Sequence, residues 1–95
     1  MCVPSYRVTL VVGALRPGVQ PSAVLPGARD AAAELTTVEA FDVQVVSGQA
    51  RIVVRFSADE YEIADQVGRH VASVVSNLAA VENFRITERQ GARWS

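Results

Sequence analysis

Four segments of this chain place apolar side chains at every second position, a period that belongs to a half-buried β-strand and not to a helix. In residues 6–13, Val8, Leu10 and Val12 alternate with Arg7, Thr9 and Val11. In 37–46, Phe41, Val43 and Val45 alternate with Asp42 and Gln44, and Val46 shares the parity of the polar pair. In 49–56, Ile52, Val54 and Phe56 alternate with Arg51, Val53 and Arg55. In 81–89, Phe84 and Ile86 take the inward parity, against Arg85, Thr87 and Arg89. Strands of this kind make a sheet with one apolar face to be covered and one face left bare.

The cover comes from two stretches in which the period changes to that of a helix. Val24, Ala28, Ala31, Ala32 and Leu35 recur at helical spacing, interrupted by Pro26-Gly27. A proline in a helix interior costs about 3 kcal/mol, so a short turn over 21–25 is expected, with the regular helix opening at Pro26. Ser57-Ala58-Asp59-Glu60 has the form of a capping box. It predicts a second helix from there to about Leu78, with Ala64, Val67, Val71, Val74 and Leu78 as its buried stripe and Asp65–Arg69 as an i,i+4 ion pair. Ser47-Gly48 predicts a two-residue hairpin between the second and third strands.

The resulting order is βαββαβ. It predicts an α+β, ferredoxin-like sandwich: a four-stranded antiparallel sheet with the first and third strands central and two helices on one face. One domain is expected over 1–95, ordered from about 5 to 89, with 1–4 and 90–95 as tails. A chain of 95 residues buries roughly two-thirds of its unfolded surface, enough for a core without metal or disulfide.

Composition narrows the function classes. Cys2 is the single cysteine, which excludes an intrachain disulfide and suits a reducing, cytoplasmic setting. No apolar run approaches the ~20 residues of a membrane span, and no signal peptide is read at the N-terminus. All nine basic residues are arginine, a usage that fits a GC-rich bacterial genome. The net charge of −1 argues against a general polyanion binder, although the distribution of charge matters more than its sum.

No catalytic set is read in the chain. His70 is the only histidine and flanks the buried stripe of the second helix, with no assigned partner. One histidine and one distant cysteine are too few ligands for a metal, and no cofactor is expected. Asp59, Glu60, Glu62 and Asp65 gather where a helix N-terminus favours negative charge.

Two surfaces remain as candidates. The bare sheet face is expected to carry Arg7, Arg51, Arg55, Arg85 and Arg89 around an apolar centre of Val11, Val46 and Val53. Such a face fits a sheet-to-sheet homodimer or a protein partner. It also fits nucleic acid, although RNA-binding sheets place aromatic rings on their central strands and this one shows none there. The second candidate is the loop after the first strand, where Arg16 and helix-terminal amides could hold a small anionic ligand.

The stretch Arg16-Pro17-Gly18-Val19 after a first strand resembles the D-x-P-G-hydrophobic turn of ACT domains, with Leu15 standing at the acidic position. The approach to the last strand, Leu78-Ala79-Ala80-Val81-Glu82-Asn83-Phe84, is similar as well. The resemblance implies a ferredoxin-like regulatory module that binds amino-acid-like effectors at a dimer interface, here through Leu15, Arg16, Pro17, Gly18 and Val19.

Overall fold

The computed structural model describes residues 3–95; Cys2 lies outside them. The first strand, β1 (Ser5–Leu15), is the middle of the sheet and is hydrogen-bonded on both edges. After a 3₁₀ turn (Pro21–Ala23) come α1 (Val24–Ala33), β2 (Val38–Val46), β3 (Gln49–Ser57), α2 (Tyr61–Ser76), β4 (Ala79–Gln90) and β5 (Arg93–Trp94). The sheet order is β2-β3-β1-β4-β5 and every neighbouring pair is antiparallel. The architecture is therefore α+β with two helices and five strands, not four.

The fifth strand comes from the expected tail. Gly91, at φ 64°, lets the chain reverse after β4. Arg93 and Trp94 then pair with Gln90 and Arg89, and Ser95 exchanges both backbone hydrogen bonds with Glu88. At the other end, the Ala58 N–H donates to the Pro4 carbonyl.

Register places Val8 opposite Val54 and Ile86, and Leu10 opposite Ile52 and Phe84. These residues share one face, and the helices cover it. Val8, Leu10, Val54 and Phe56 are fully buried, with Phe84 and Ile86 half-buried against them. Each such aliphatic side chain contributes about 1.5–3 kcal/mol by leaving water. Tyr6 closes one end of the core, its ring stacked 6.2 Å from that of Phe56.

The hairpin turn is the expected pair. Ser47 and Gly48 both have positive φ, 54° and 80°, which the mirror-image hairpin turn requires and which glycine adopts without strain. Gly68 serves α2 differently. A Cβ there would lie 2.6 Å from Ile86 Cδ1, so the missing side chain lets the helix lie close to β4.

Helix boundaries depart from the sequence reading in two places. α1 begins at Val24 with Pro26 inside its first turn, where an N–H has no intrahelical partner to lose. It stops at Ala33, and Leu35 is exposed. α2 begins at Tyr61 with Glu60 as N-cap and no side-chain cap, so the capping box does not form. Ser57 is held in the sheet instead: its N–H donates to Thr37 O, its carbonyl accepts from the Thr36 hydroxyl, and it pairs with Ser5. Several strand hydrogen bonds outweigh one cap. Among the described residues no helix is long and apolar enough to cross a membrane.

If β1 is the centre of the core, Leu10→Ala should lower stability by about 2–5 kcal/mol in urea unfolding followed by circular dichroism. An exposed open-face change such as Gln44→Thr should stay within about 0.5 kcal/mol of the parent.

Candidate functional site

The loop after β1 is built around a tight turn. The Val19 N–H donates to Arg16 O, with Pro17 and Gly18 (φ 82°) between them, the pattern of a type II turn. The turn leans on the end of α2: the Arg16 N–H donates to Leu78 O at 2.9 Å and its guanidinium Nε to Ser76 O at 3.0 Å. Arg16 thus satisfies carbonyls at the negative end of a helix. Of the five residues read as a ligand loop, Leu15 alone lines the neighbouring cleft.

The open sheet face carries the expected arginines. Arg7 is opposite Arg55 on one side and Thr87 on the other, and Arg85 is opposite Thr9. Two carboxylates lie among them. Glu39, next to a β-bulge at the start of β2, accepts from Arg55 Nε at 2.8 Å and from the Ser5 hydroxyl at 2.9 Å. Asp42 accepts from its neighbour's amide, Val43 N–H, at 2.8 Å. The hydrogen bond from Arg55 holds the Glu39 carboxyl below its ordinary value against the opposing effect of burial; the Ser5 hydroxyl and the charges of Arg55 and Arg89 add to it.

The apolar centre read for this face is not continuous. Val53 is opposite Thr9, Val11 is opposite Arg51, and Val46 is opposite Gln49 at the hairpin end. Trp94, which falls in the expected tail, belongs to this face as well. β5 brings its ring onto this face, with Arg7 Cζ 4.2 Å and Arg55 Cζ 6.0 Å from its centroid. The signal was Gly91, a turn residue directly after a strand. The Nε–H donors of Arg7 and Arg51 are buried without a protein acceptor.

The large apolar surface lies elsewhere, on the helix face of β2. Phe41, Val43 and Val45 have the inward parity that the sequence predicts, opposite Val54, Ile52 and Ala50. They are nevertheless 44%, 48% and 74% exposed. The reason is length: ten helical residues span about 15 Å, whereas nine strand residues span about 30 Å. α1 presents alanines (Ala28, Ala31, Ala32) to the core and packs over the β2–β3 side of the sheet. It reaches β2 at Arg29, whose guanidinium lies 5.2 Å from the Phe41 ring.

At its start, around Val24–Pro26, α1 stands apart from the β2–β3 hairpin. The gap is a cleft of about 630 Å³. Val12, Ala50 and Ile52 form its floor, Val24 and Leu25 one wall, Val43 the other. Leu15, Pro21, Ser22 and Pro26 stand around it, and Ser22 is the only lining residue with a polar side chain.

Potential acid–base groups are occupied structurally. His70 Nε2 lies 2.8 Å from Glu34 Oε2, joining α2 to the end of α1, and Arg69 donates to Asp65 at 2.8 Å as expected. Among the described residues no group of three or more His, Cys, Asp or Glu could hold a metal. No protein family, characterised protein or solved structure matches the chain.

Two measurements test this electrostatic description. Glu39 has a lowered folded-state pKa, so its contribution is present above the unfolded carboxylate value of about 4.3 and lost as pH falls through the folded value. Glu39→Gln should flatten that part of the acid limb of a urea-midpoint profile, by about 1 kcal/mol or less for a half-exposed pair. Arg7→Ala should red-shift Trp94 emission and increase its quenching by acrylamide, at a stability cost of about 0.5–1 kcal/mol.

Proposed function

We propose that this chain is a non-catalytic, ferredoxin-like binding module that acts by self-association through the free edge of β2. The observation that carries this reading is the edge itself. β2 is nine residues long, pairs only with β3, and exposes Phe41, Val43 and Val45. Natural edge strands are commonly guarded by lysine, proline or inward-pointing charge. The sequence Val38-Glu39-Ala40-Phe41-Asp42-Val43-Gln44-Val45-Val46 has none of these on its apolar parity, and its one irregularity is the bulge near Val38.

The edge is also self-complementary. Antiparallel pairing about a two-fold axis at Val43 sets Phe41 against the partner's Val45 on the helix side. On the open side it sets Asp42 against the partner's Gln44. No like charges are opposed, and six apolar side chains leave water together. The strand order, with β1 and β3 inside and β2 at an edge, and the Arg16–Val19 turn support an ACT-like relationship, in which modules of this architecture pair to form regulatory sites.

The test is mass in solution. Light scattering at high micromolar concentration should give about twice the chain mass of 10.2 kDa. Val43→Lys should give the monomer with an unchanged circular dichroism spectrum. A strictly monomeric parent protein rules the reading out.

Trp94 favours a second reading, nucleic-acid binding on the open face, because it supplies the aromatic ring that the central strands lack. Single-stranded RNA binding should then fall steeply with salt and weaken further in Trp94→Ala and in Arg51→Ala with Arg55→Ala. Retention on RNA at high salt, or indifference to these substitutions, speaks against it.

A further inference from the structure

We infer that the cleft between α1 and the β2–β3 hairpin is a binding site for a compact, uncharged apolar small molecule. This inference stands on the cleft; Val43 is the one lining residue it shares with the proposed β2 seam, and its test does not use Val43.

Size is the first argument. About 630 Å³ lies within the range of small-molecule sites, roughly 300–1,000 Å³. The space is concave, with α1 on one side, the β1–β3 floor beneath and Val43 on the other side. A small side chain maintains it: Ala50 lines the floor where a larger residue would fill the space.

The chemistry of the walls then selects the ligand. Ser22 is the sole lining residue with a polar side chain, so a carboxylate, phosphate or ammonium would lose its hydration with no charged partner. A helix start is ordinarily a place for anions because its first amides point outward. Here two of the residues that could supply such amides, Pro21 and Pro26, have no N–H. Of the cations nearest in the chain, Arg16 is engaged with the Ser76 carbonyl and Arg29 with Asp30 and the Phe41 ring, and Arg51 belongs to the opposite, open face of the sheet, across from Val11. The end of α1 is thus stripped of what would hold an anion and lined with what would hold a hydrocarbon. One hydroxyl, that of Ser22, remains to orient a ligand that carries a single polar group. The expected ligand class is a neutral aliphatic or aromatic molecule, and amino acids and phosphate esters are excluded from it.

The probe is N-phenyl-1-naphthylamine, neutral and fluorescent only in apolar surroundings. Titrated into the whole protein, it should show saturable binding of one molecule per chain. Ala50→Leu fills the floor and should abolish binding; Leu15→Asp, at a half-exposed rim position, should weaken it at least tenfold. Val45→Lys removes apolar surface from the β2 stripe without touching the cleft and should leave binding unchanged, whatever it does to oligomeric state. Circular dichroism and Trp94 emission verify the fold of each variant. Non-saturable binding by the parent protein, or binding that survives both Ala50→Leu and Leu15→Asp, overturns the inference. Loss of binding in Val45→Lys overturns it too, because the probe would then have reported the exposed stripe.

Discussion

The hydrogen-bonded ladders on both edges of β1 are the constraint from which the rest of the structure follows. β1 is antiparallel to β3 along one edge and to β4 along the other, so its alternation sets the facing of three strands at once. Tyr6, Val8, Leu10 and Val12 are all buried, and their cross-strand neighbours are Phe56, Val54 and Ile52 on one side and Ile86 and Phe84 on the other. A slip of one residue would turn this whole set to solvent and bring Arg7, Arg51, Arg55 and Arg85 under the helices. Burying those charges unpaired would cost far more than any local preference supplies. The register is therefore strongly determined, and with it the identity of the open face.

The covering layer is less complete than the sheet beneath it. α2, at sixteen residues, spans its part of the sheet and is tied to it by Val67, Val71 and Val75. α1 has ten residues and an alanine-rich inner face; it packs over the β2–β3 side of the sheet but is too short to cover the length of β2. Both features read here as functional, the free β2 edge and the apolar cleft beside it, come from that mismatch of length. They are consequences of one short helix, and they meet at Val43. The edge offers backbone groups and an exposed apolar stripe to another chain, whereas the cleft offers a half-open apolar recess to a small molecule.

The open face shows how arginine behaves when no lysine is present. Arg55 pairs with Glu39, and Arg7 lies over Trp94. The planar guanidinium can do both because it presents a donor fork at its edge and a stacking surface on its face. The face read as arginines around an apolar centre is a mixed surface: Arg55, Arg7 and Arg89 are committed to neighbours, and the Trp94 ring from the edge strand lies against Arg7.

Much of this was legible before any coordinates. Period-two alternation is a local property of the backbone, and it identified four strands, their inward sides and the Ser47-Gly48 turn. The helical stretches were legible for the same reason, since Ala64, Val67 and Val71 sit on one stripe by geometry alone. The errors share a cause. Ser57 has the side chain of a helix cap but stays in the sheet because Thr36, Thr37 and Ser5 are near it only in three dimensions. Phe41, Val43 and Val45 have core parity but lack cover, because the sequence shows which way a side chain points and not how far a helix from another part of the chain extends. Trp94 and Arg16 likewise found their partners, Arg7 and the end of α2, across large separations. Facing was determined locally, by the sequence; coverage, pairing and the empty space between elements were decided only when distant segments packed together.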